Sequence, residues 1–277
     1  MSPDWQDDAG VVRLVVVASL LAALLGWQRM RPRRGDADPR RGLRNIGLMA
    51  IASIAVRLLI PLSAVAFAAM IQARSIGLFQ QWSLPLAAAI PVGIVLLDMA
   101  IYWQHRWFHQ IPLLWRIHRV HHTDTGFDTT LGLRFHPAEI VLSLLFKFAV
   151  IAVLGLSPGI VFIYEILLTG FALWTHADVA LSPACDRRLR RLLVTPDWHR
   201  VHHSVHRDET DSNYANILSV WDRLFRSHVA QPRDGHADMR IGLPSFREPQ
   251  SQTLPALLLQ PLLGEPRAPS TDIRPHA

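Results

Sequence analysis

Residues 84–122 read LPLAAAIPVGIVLLDMAIYWQHRWFHQIPLLWRIHRVHH. The apolar run Leu84–Trp103 has the roughly 20 residues that a helix needs to cross a bilayer, and it delivers His105 and His109 at its end. A triplet, His118, His121 and His122, follows in the pentapeptide His-Arg-Val-His-His. On a helix, positions i, i+3 and i+4 share one face, so the triplet projects three imidazoles together, and His105 and His109 share a face for the same reason. The pentapeptide returns as His199, Arg200, Val201, His202 and His203. Eight of the fourteen histidines therefore stand in three convergent combs. A histidine-rich solvated helix or a tag would not skip the positions that point away. Imidazole is the commonest metal-ligating side chain, and eight nitrogens suffice for two ions.

Half of the 277 residues are hydrophobic, and they fall in runs longer than a soluble core requires. Net charge is +6, from 28 basic residues of which Lys147 is the only lysine. The excess is not a nucleic-acid signature. It concentrates in Arg29, Arg31, Arg33, Arg34, Arg40, Arg41 and Arg44, directly after the first apolar run, where it reads as a topology signal. The single Cys185 excludes an intrachain disulfide and a cysteine-ligated cluster.

The first span is expected at Val11–Trp27, preceded by Asp4, Asp7 and Asp8. Charge in this order argues for an uncleaved segment with its N-terminus outside the cytoplasm. The second extends from about Ile46 to Ile71 with a kink at Pro61. Its Arg57 would cost roughly 2.5–3.5 kcal/mol at the bilayer centre, so it is expected to snorkel towards the cytoplasmic head groups. Gln72–Trp82 is an outer loop, and Leu84–Trp103 returns. Ala138–Leu156 and Gly159–Trp174 form a hairpin about Ser157-Pro158-Gly159. The fold predicted is all-α, a polytopic membrane bundle of four to five spans with a cytoplasmic, histidine-rich helical cap. Parity then puts all three combs on the cytoplasmic side.

Residues 1–80 read as an N-terminal membrane extension, 81–230 as the catalytic unit and 231–277 as a tail. In that tail, Leu254–Leu263 is too short to span and is expected to lie on the membrane surface. The chain beyond Gly264 is expected to be disordered. Thr195, Pro196 and Asp197 mark the start of the helix that carries the second comb.

Several polar residues fall within or near the spans. Asp98 and Tyr102 share a helix face with His105 and His109. An intramembrane Asp either orients a ligating imidazole, lines a substrate tunnel, or bonds another helix. Glu165 lies three turns before His176 on one face, and Lys147 is at comparable depth to pair with it. His176, at the mouth of the fifth span, is expected to complete the cage. His136 starts the fourth helix and reads either as a ligand or as a helix-start residue; His206 is a weaker candidate. His228, His236 and His276 read as background.

Taken together, Asp98-x3-Tyr102-x2-His105-Arg106-x2-His109, the first HxxHH, Phe135-His136-Pro137-x-Glu139, and the second HxxHH followed by Asn213-Tyr214 and Trp221-Asp222-Arg223-Leu224-Phe225 resemble the fatty acid hydroxylase/sterol desaturase superfamily. The resemblance covers about Asp98 to Phe225. Ala215 stands where that family usually has Gly after Asn-Tyr, and Arg226 where Gly often follows. The resemblance implies a membrane-embedded non-haem di-iron oxygenase. It would use O2 and external electrons to hydroxylate or desaturate an acyl chain, sterol-like or isoprenoid lipid. It adds Asn213 to the catalytic candidates Asp98, Tyr102 and Glu165, and makes iron rather than zinc the expected metal. With no cytochrome b5 or flavin module in the chain, a separate ferredoxin- or cytochrome b5-like donor is expected, with Arg106, Arg119 and Arg200 either docking it or contacting lipid phosphates. The expected location is a bacterial inner membrane.

Two readings compete. A histidine-rich metal transporter would place its ligands at midspan with carboxylates, whereas these combs lie beyond the span ends. A b-type cytochrome needs paired axial histidines rather than triplets.

Overall fold

The computed structural model describes residues 5–35, 38–82 and 84–264; the end beyond Gly264 and the acidic Asp4 lie outside them. The chain folds into α1 (Trp5–Met30), α2 (Pro39–Leu59), α3 (Ala64–Ala73), α4 (Leu78–Gln81), α5 (Leu86–Gln110), α6 (Pro112–His122), α7 (Pro137–Leu154), α8 (Pro158–Thr175), α9 (Pro183–Leu189) and α10 (Pro196–His202), followed by short helical turns. Among the described residues there is no β-strand, only three isolated bridges. Five helical segments are long and apolar enough to cross a membrane: Ala9–Met30, Pro39–Gln81, Leu86–Gln110, Pro137–Leu154 and Pro158–Thr175. The fold is the all-α polytopic bundle that the apolar runs predict.

The bundle core lies between α3, α5, α7 and α8, where Ala68, Leu97, Ile151, Ile160 and Tyr164 are buried. Here α1 packs on α8 and α2 on α7. Val11, Leu14, Leu58, Leu59 and Val153 face outward, as lipid-facing residues should, since backbone polarity is satisfied inside each helix. At the end of α7, Gly155 adopts the left-handed conformation (φ 70°), and Gly77 (φ 98°) lies against it. A Cβ on either would run into the backbone of the other, so both positions require glycine for approach as well as for φ.

Two sequence expectations shift here. Pro61 does more than kink the second span: the helix stops at Leu59 and restarts at Ala64, where Ser63 Oγ accepts from Ala66 N at 3.1 Å. Arg57 is exposed in the last turn of α2. It lies about 24 Å of helix from Arg41, at 1.5 Å per residue. It therefore sits at the end of α2 away from the combs, rather than near the cytoplasmic end of the span that the sequence suggests.

Within the bundle, Glu165 of α8 receives Arg13 Nη1 of α1 at 2.7 Å and Lys147 Nζ of α7 at 2.6 Å. Three helices are joined by one buried carboxylate, with its charge compensated as a low-dielectric site demands.

The tail packs back on the first comb. Leu257 is buried with Leu48 of α2 and Val120 of α6, and Arg119 Nη2 donates to the carbonyls of Gln260 and Leu263 at 2.7 and 2.6 Å. Leu259, Leu262 and Leu263 stay exposed.

Candidate metal centre

α5 runs past the end of its apolar stretch to Gln110, so His105 and His109 ride on a rigid helix rather than on a loop. Pro112 at the first position of α6 forces the change of direction. The last two turns of α6 then carry His118, His121 and His122 back towards α5. α10 starts as its sequence predicts: Thr195 Oγ1 accepts from Trp198 N at 3.4 Å with Pro196 at the first position, and His199 and His202 follow on it, with His203 at its C-cap. His176 is the residue directly after α8.

These nine imidazoles form two groups. His105, His109, His118, His122 and His202 make one; His121, His176, His199 and His203 make the other. Within each, one ligating atom per residue lies within 4.8 Å of all the rest. Each pentapeptide is split between the groups. The i,i+4 pair His118/His122 and the pair His199/His203 serve opposite groups, while the middle residues, His121 and His202, cross over. The two groups touch, with His122 and His203 stacked at 4.6 Å between centroids.

The tautomers are dictated from outside. His105 Nδ1 faces the Tyr214 carbonyl at 2.7 Å, His118 Nδ1 the Glu139 carboxylate at 2.7 Å, and His109 Nδ1 the Asp211 carboxylate at 3.1 Å. His121, His176 and His202 direct Nδ1 at the carbonyls of Arg134, Ala172 and Ser212, at 3.2, 2.6 and 2.6 Å. Each of these partners only accepts, so the proton sits on Nδ1 and the lone pair on Nε2 points inward. Yet Nε2 of His105 lies 3.1 Å from Nε2 of His118, and Nε2 of His176 lies 3.1 Å from Nε2 of His121. Two lone pairs at that separation repel. The arrangement is favourable only with a cation between them, and the residues present fit two such ions. His109 Nε2 and His202 Nε2 are likewise buried without a hydrogen-bond partner.

Burial, reinforced by neighbouring imidazoles, holds His121, His122, His199 and His203 well below the usual imidazole range. Burial does the same to His202 and takes His176 to about 4. The rings are thus neutral, which is the form that ligates.

The arginine inside each pentapeptide points the other way. Arg119 and Arg200 are both fully buried. Arg200 pairs with Asp197 and with Asp178 at 3.5 Å and lies over the Phe127 ring at 4.7 Å, while Arg119 is held by the tail. This corrects the expectation that these two arginines form a docking surface: the back of each comb is covered, so neither reaches solvent or lipid.

Behind the first comb, Arg41 of α2 enters a pocket lined by Asp124 at 3.5 Å and Asp128. Gly126 makes the room, since a Cβ there would overlap the guanidinium. Arg134 donates to Val120 O at 2.8 Å, Asn45 Oδ1 at 3.1 Å and Gln252 Oε1 at 2.7 Å. Arg41 therefore has a structural role, whatever it adds to the charge bias after α1.

The other predicted site residues lie around the cage rather than in it. Asp98 Oδ2 accepts from Leu218 N at 3.0 Å and Trp221 Nε1 at 2.7 Å, which ties α5 to the segment after the second comb. The Tyr102 hydroxyl bonds Ser227 Oγ at 2.8 Å. Asn213, at φ 48°, donates to the carbonyls of Trp198 and Val229, each at 2.9 Å, and accepts from Val229 N at 2.9 Å. Glu165 belongs to the ion triad. His136 caps α7, its Nδ1 accepting from Ala138 N at 3.1 Å, and its Nε2 meets Leu258 O at 3.1 Å. His206 pairs with Asp234 at 2.8 Å.

Three contributors carried no assigned role in the sequence reading. Glu139 and Asp211 orient imidazoles. Asp222, fully buried, accepts from Tyr214 N at 2.8 Å, Ser227 Oγ at 2.8 Å, Trp198 Nε1 at 3.0 Å and Ala215 N at 3.2 Å. The available signal was the motif itself: a carboxylate within Trp-Asp-Arg-Leu-Phe has to be satisfied by something. Replacing Glu139 with Ala should lower metal affinity about 10–100-fold through loss of the Nδ1 acceptor, with Glu139→Gln recovering part of it. Chelator competition measures both.

Comparison with known proteins gives the following. The fatty acid hydroxylase family model matches residues 90–227. Alkylglycerol monooxygenase of Homo sapiens is 31% identical over 136 residues, covering 48% of this chain and 29% of that protein. The ornithine lipid hydroxylase OlsE of Rhizobium tropici is 30% identical over 162 residues, covering 58% and 47%. Cholesterol 25-hydroxylase of Mus musculus is 24% identical over 151 residues, covering 53% and 49%. The match thus spans less than half the length of each of these relatives. No solved structure matches the chain.

Proposed function

Residues 90–227 of this chain belong to the fatty acid hydroxylase family, and from that premise we propose that the protein is a membrane-bound, O2-dependent lipid hydroxylase with two non-haem irons. The observation that carries the reading is the convergence of inward Nε2 lone pairs at 3.1 Å in both groups. His105, His109, His118, His122 and His202 would hold one ion, and His121, His176, His199 and His203 the other. When bound, the iron pair supplies the redox chemistry that activates dioxygen. The alkylglycerol, ornithine lipid and cholesterol relatives are named as monooxygenases or hydroxylases. That supports insertion of a hydroxyl group over formation of a double bond.

The chain supplies the rest. Burial keeps the imidazoles neutral, and outward acceptors at Nδ1 fix which nitrogen faces the ions. Asp98, Asp222 and Asn213 act as positioning residues, since they secure the segments that present His105, His202 and their carbonyl partners. Hydroxylation of a C–H bond by O2 consumes two electrons and two protons and releases water, so a separate reductant must deliver the electrons.

The deciding experiment is purification with iron quantified, followed by lipid profiling of cells with and without the intact gene. Stoichiometric iron and a hydroxylated lipid that disappears without the gene are the expected results. Metal flux in liposomes with no lipid change would instead identify a transporter.

The arginine excess after α1 supports a cage on the cytoplasmic side. Reporter fusions after Arg34, Ile111 and Arg226 should report cytoplasmic and one after Gly77 the opposite side. A cytoplasmic signal at Gly77 would overturn the arrangement.

A further inference from the structure

A polar cavity of about 390 Å³ opens beside the five-imidazole group, and His109 lines both. Its walls carry three guanidinium groups, Arg106, Arg207 and Arg226, against one carboxylate, Asp211. Arg207 is committed to that carboxylate, Nε to Oδ2 at 2.6 Å. Arg106 donates to neutral oxygens only, the Tyr102 hydroxyl at 3.4 Å and the Phe225 carbonyl at 3.3 Å, and its buried Nε has no partner. Arg226 is exposed and has no carboxylate partner among the described residues. Two positive charges at the cavity are therefore left without counter-ions.

The backbone sets Arg226 apart. Its φ is +56°, in the left-handed region where a Cβ is strained. Glycine would close the same turn at less cost. A strained residue retained at a cavity mouth with an unneutralised charge points to a function for its side chain. The site is concave and of small-molecule size, which suits a compact anion better than the face of another protein. Arg106 lies one turn from the end of a membrane-crossing helix, the depth at which lipid phosphates meet basic side chains.

We propose that this cavity binds the phosphate of an anionic lipid head group, making a phospholipid the substrate class presented to the neighbouring cage. The proposal rests on the lipid-hydroxylase reading above.

The test is binding to the full-length protein in detergent micelles, read by calorimetry without turnover. The probes are a short-chain phosphatidic acid, the diacylglycerol with the same chains, and inorganic phosphate. Phosphatidic acid should bind at least about tenfold more tightly than diacylglycerol. Arg226→Gly removes one charge and relieves the turn. It should weaken phosphatidic acid about tenfold, the scale of one charge-assisted hydrogen bond, leave diacylglycerol unchanged, and keep or raise Tm. Arg106→Gln should act in the same direction.

Equal affinity for the two lipids, or no effect of Arg226→Gly, overturns the proposal. Inorganic phosphate binding as tightly as phosphatidic acid overturns the lipid source. If Arg226→Gly weakens only the binding of an acidic ferredoxin, the cavity belongs to an electron donor and the proposal also fails. Failure of the hydroxylase reading shows separately, as a gene without effect on cellular lipids, while the binding result stands.

Discussion

Replacing His176 with Ala is expected to reduce bound iron from about two ions per chain to about one and to cut turnover at least about 100-fold, because each ligand bond is part of the binding free energy. His176 is the hub of the four-imidazole group: its Nε2 lies 3.1 Å from His121, 3.0 Å from His203 and 3.2 Å from His199. Removing it leaves three donors there and five in the other group. His228 and His236 are the controls. His228 stacks on Trp198 at 3.9 Å, and His236 lies 3.8 Å from Asp197; neither belongs to a group. Their Ala variants should retain near-normal iron. Iron per protein across the three variants decides it, and full iron in His176→Ala would sink the two-ion assignment.

Arg41→Ala should produce the largest loss of stability among substitutions outside the cage. It takes the guanidinium from the buried carboxylate of Asp128 and one of two from Asp124, which keeps Arg134 Nη1 at 3.6 Å, and breaking a buried ion pair from one side costs roughly 3–5 kcal/mol. Asp124 follows the first comb by two residues, so metal affinity should fall as well. The neighbouring Arg40 is exposed, and its Ala variant should stay within about 0.5 kcal/mol. Adding Asp128→Asn to Arg41→Ala should recover part of the lost Tm, whereas Asp124 is kept because it also pairs with Arg134. Thermal unfolding in detergent reads all three, and equal behaviour of the Arg40 and Arg41 variants would refute the clamp.

What the sequence revealed and what it concealed divide along one physical line. Apolar runs and i, i+3, i+4 spacing are local, so the spans, the three combs and the start of α10 could be read from residues a few places apart. The division of each pentapeptide between two groups was not readable, because it depends on how α5, α6, α10 and the end of α8 meet in space. Nor were the acceptors that set the tautomers, since the carbonyls of Tyr214, Ala172 and Ser212 are backbone and carry no residue-type signal. Arg119 and Arg200 misled for a related reason. Arginine is mostly exposed, and nothing local shows that the tail and Asp178 cover the backs of the combs. Arg57 was misplaced because the break at Pro61 sets where α2 ends.

The covered backs of the combs bear on how the protein acquires its metal. With Arg119 gripped by the tail, Arg200 by two aspartates and six imidazoles oriented by outside acceptors, much of the mould is held by contacts that involve no ion. Loading and folding are then expected to be separable, unlike in small domains that collapse only around their ion. Stripped protein should keep its helices and refill. A stiff all-imidazole mould accepts divalent ions largely in the order of their intrinsic affinities. The ion found in a purified sample will therefore record what the host cell had on offer, and only reconstitution under controlled supply will show which ion does the work.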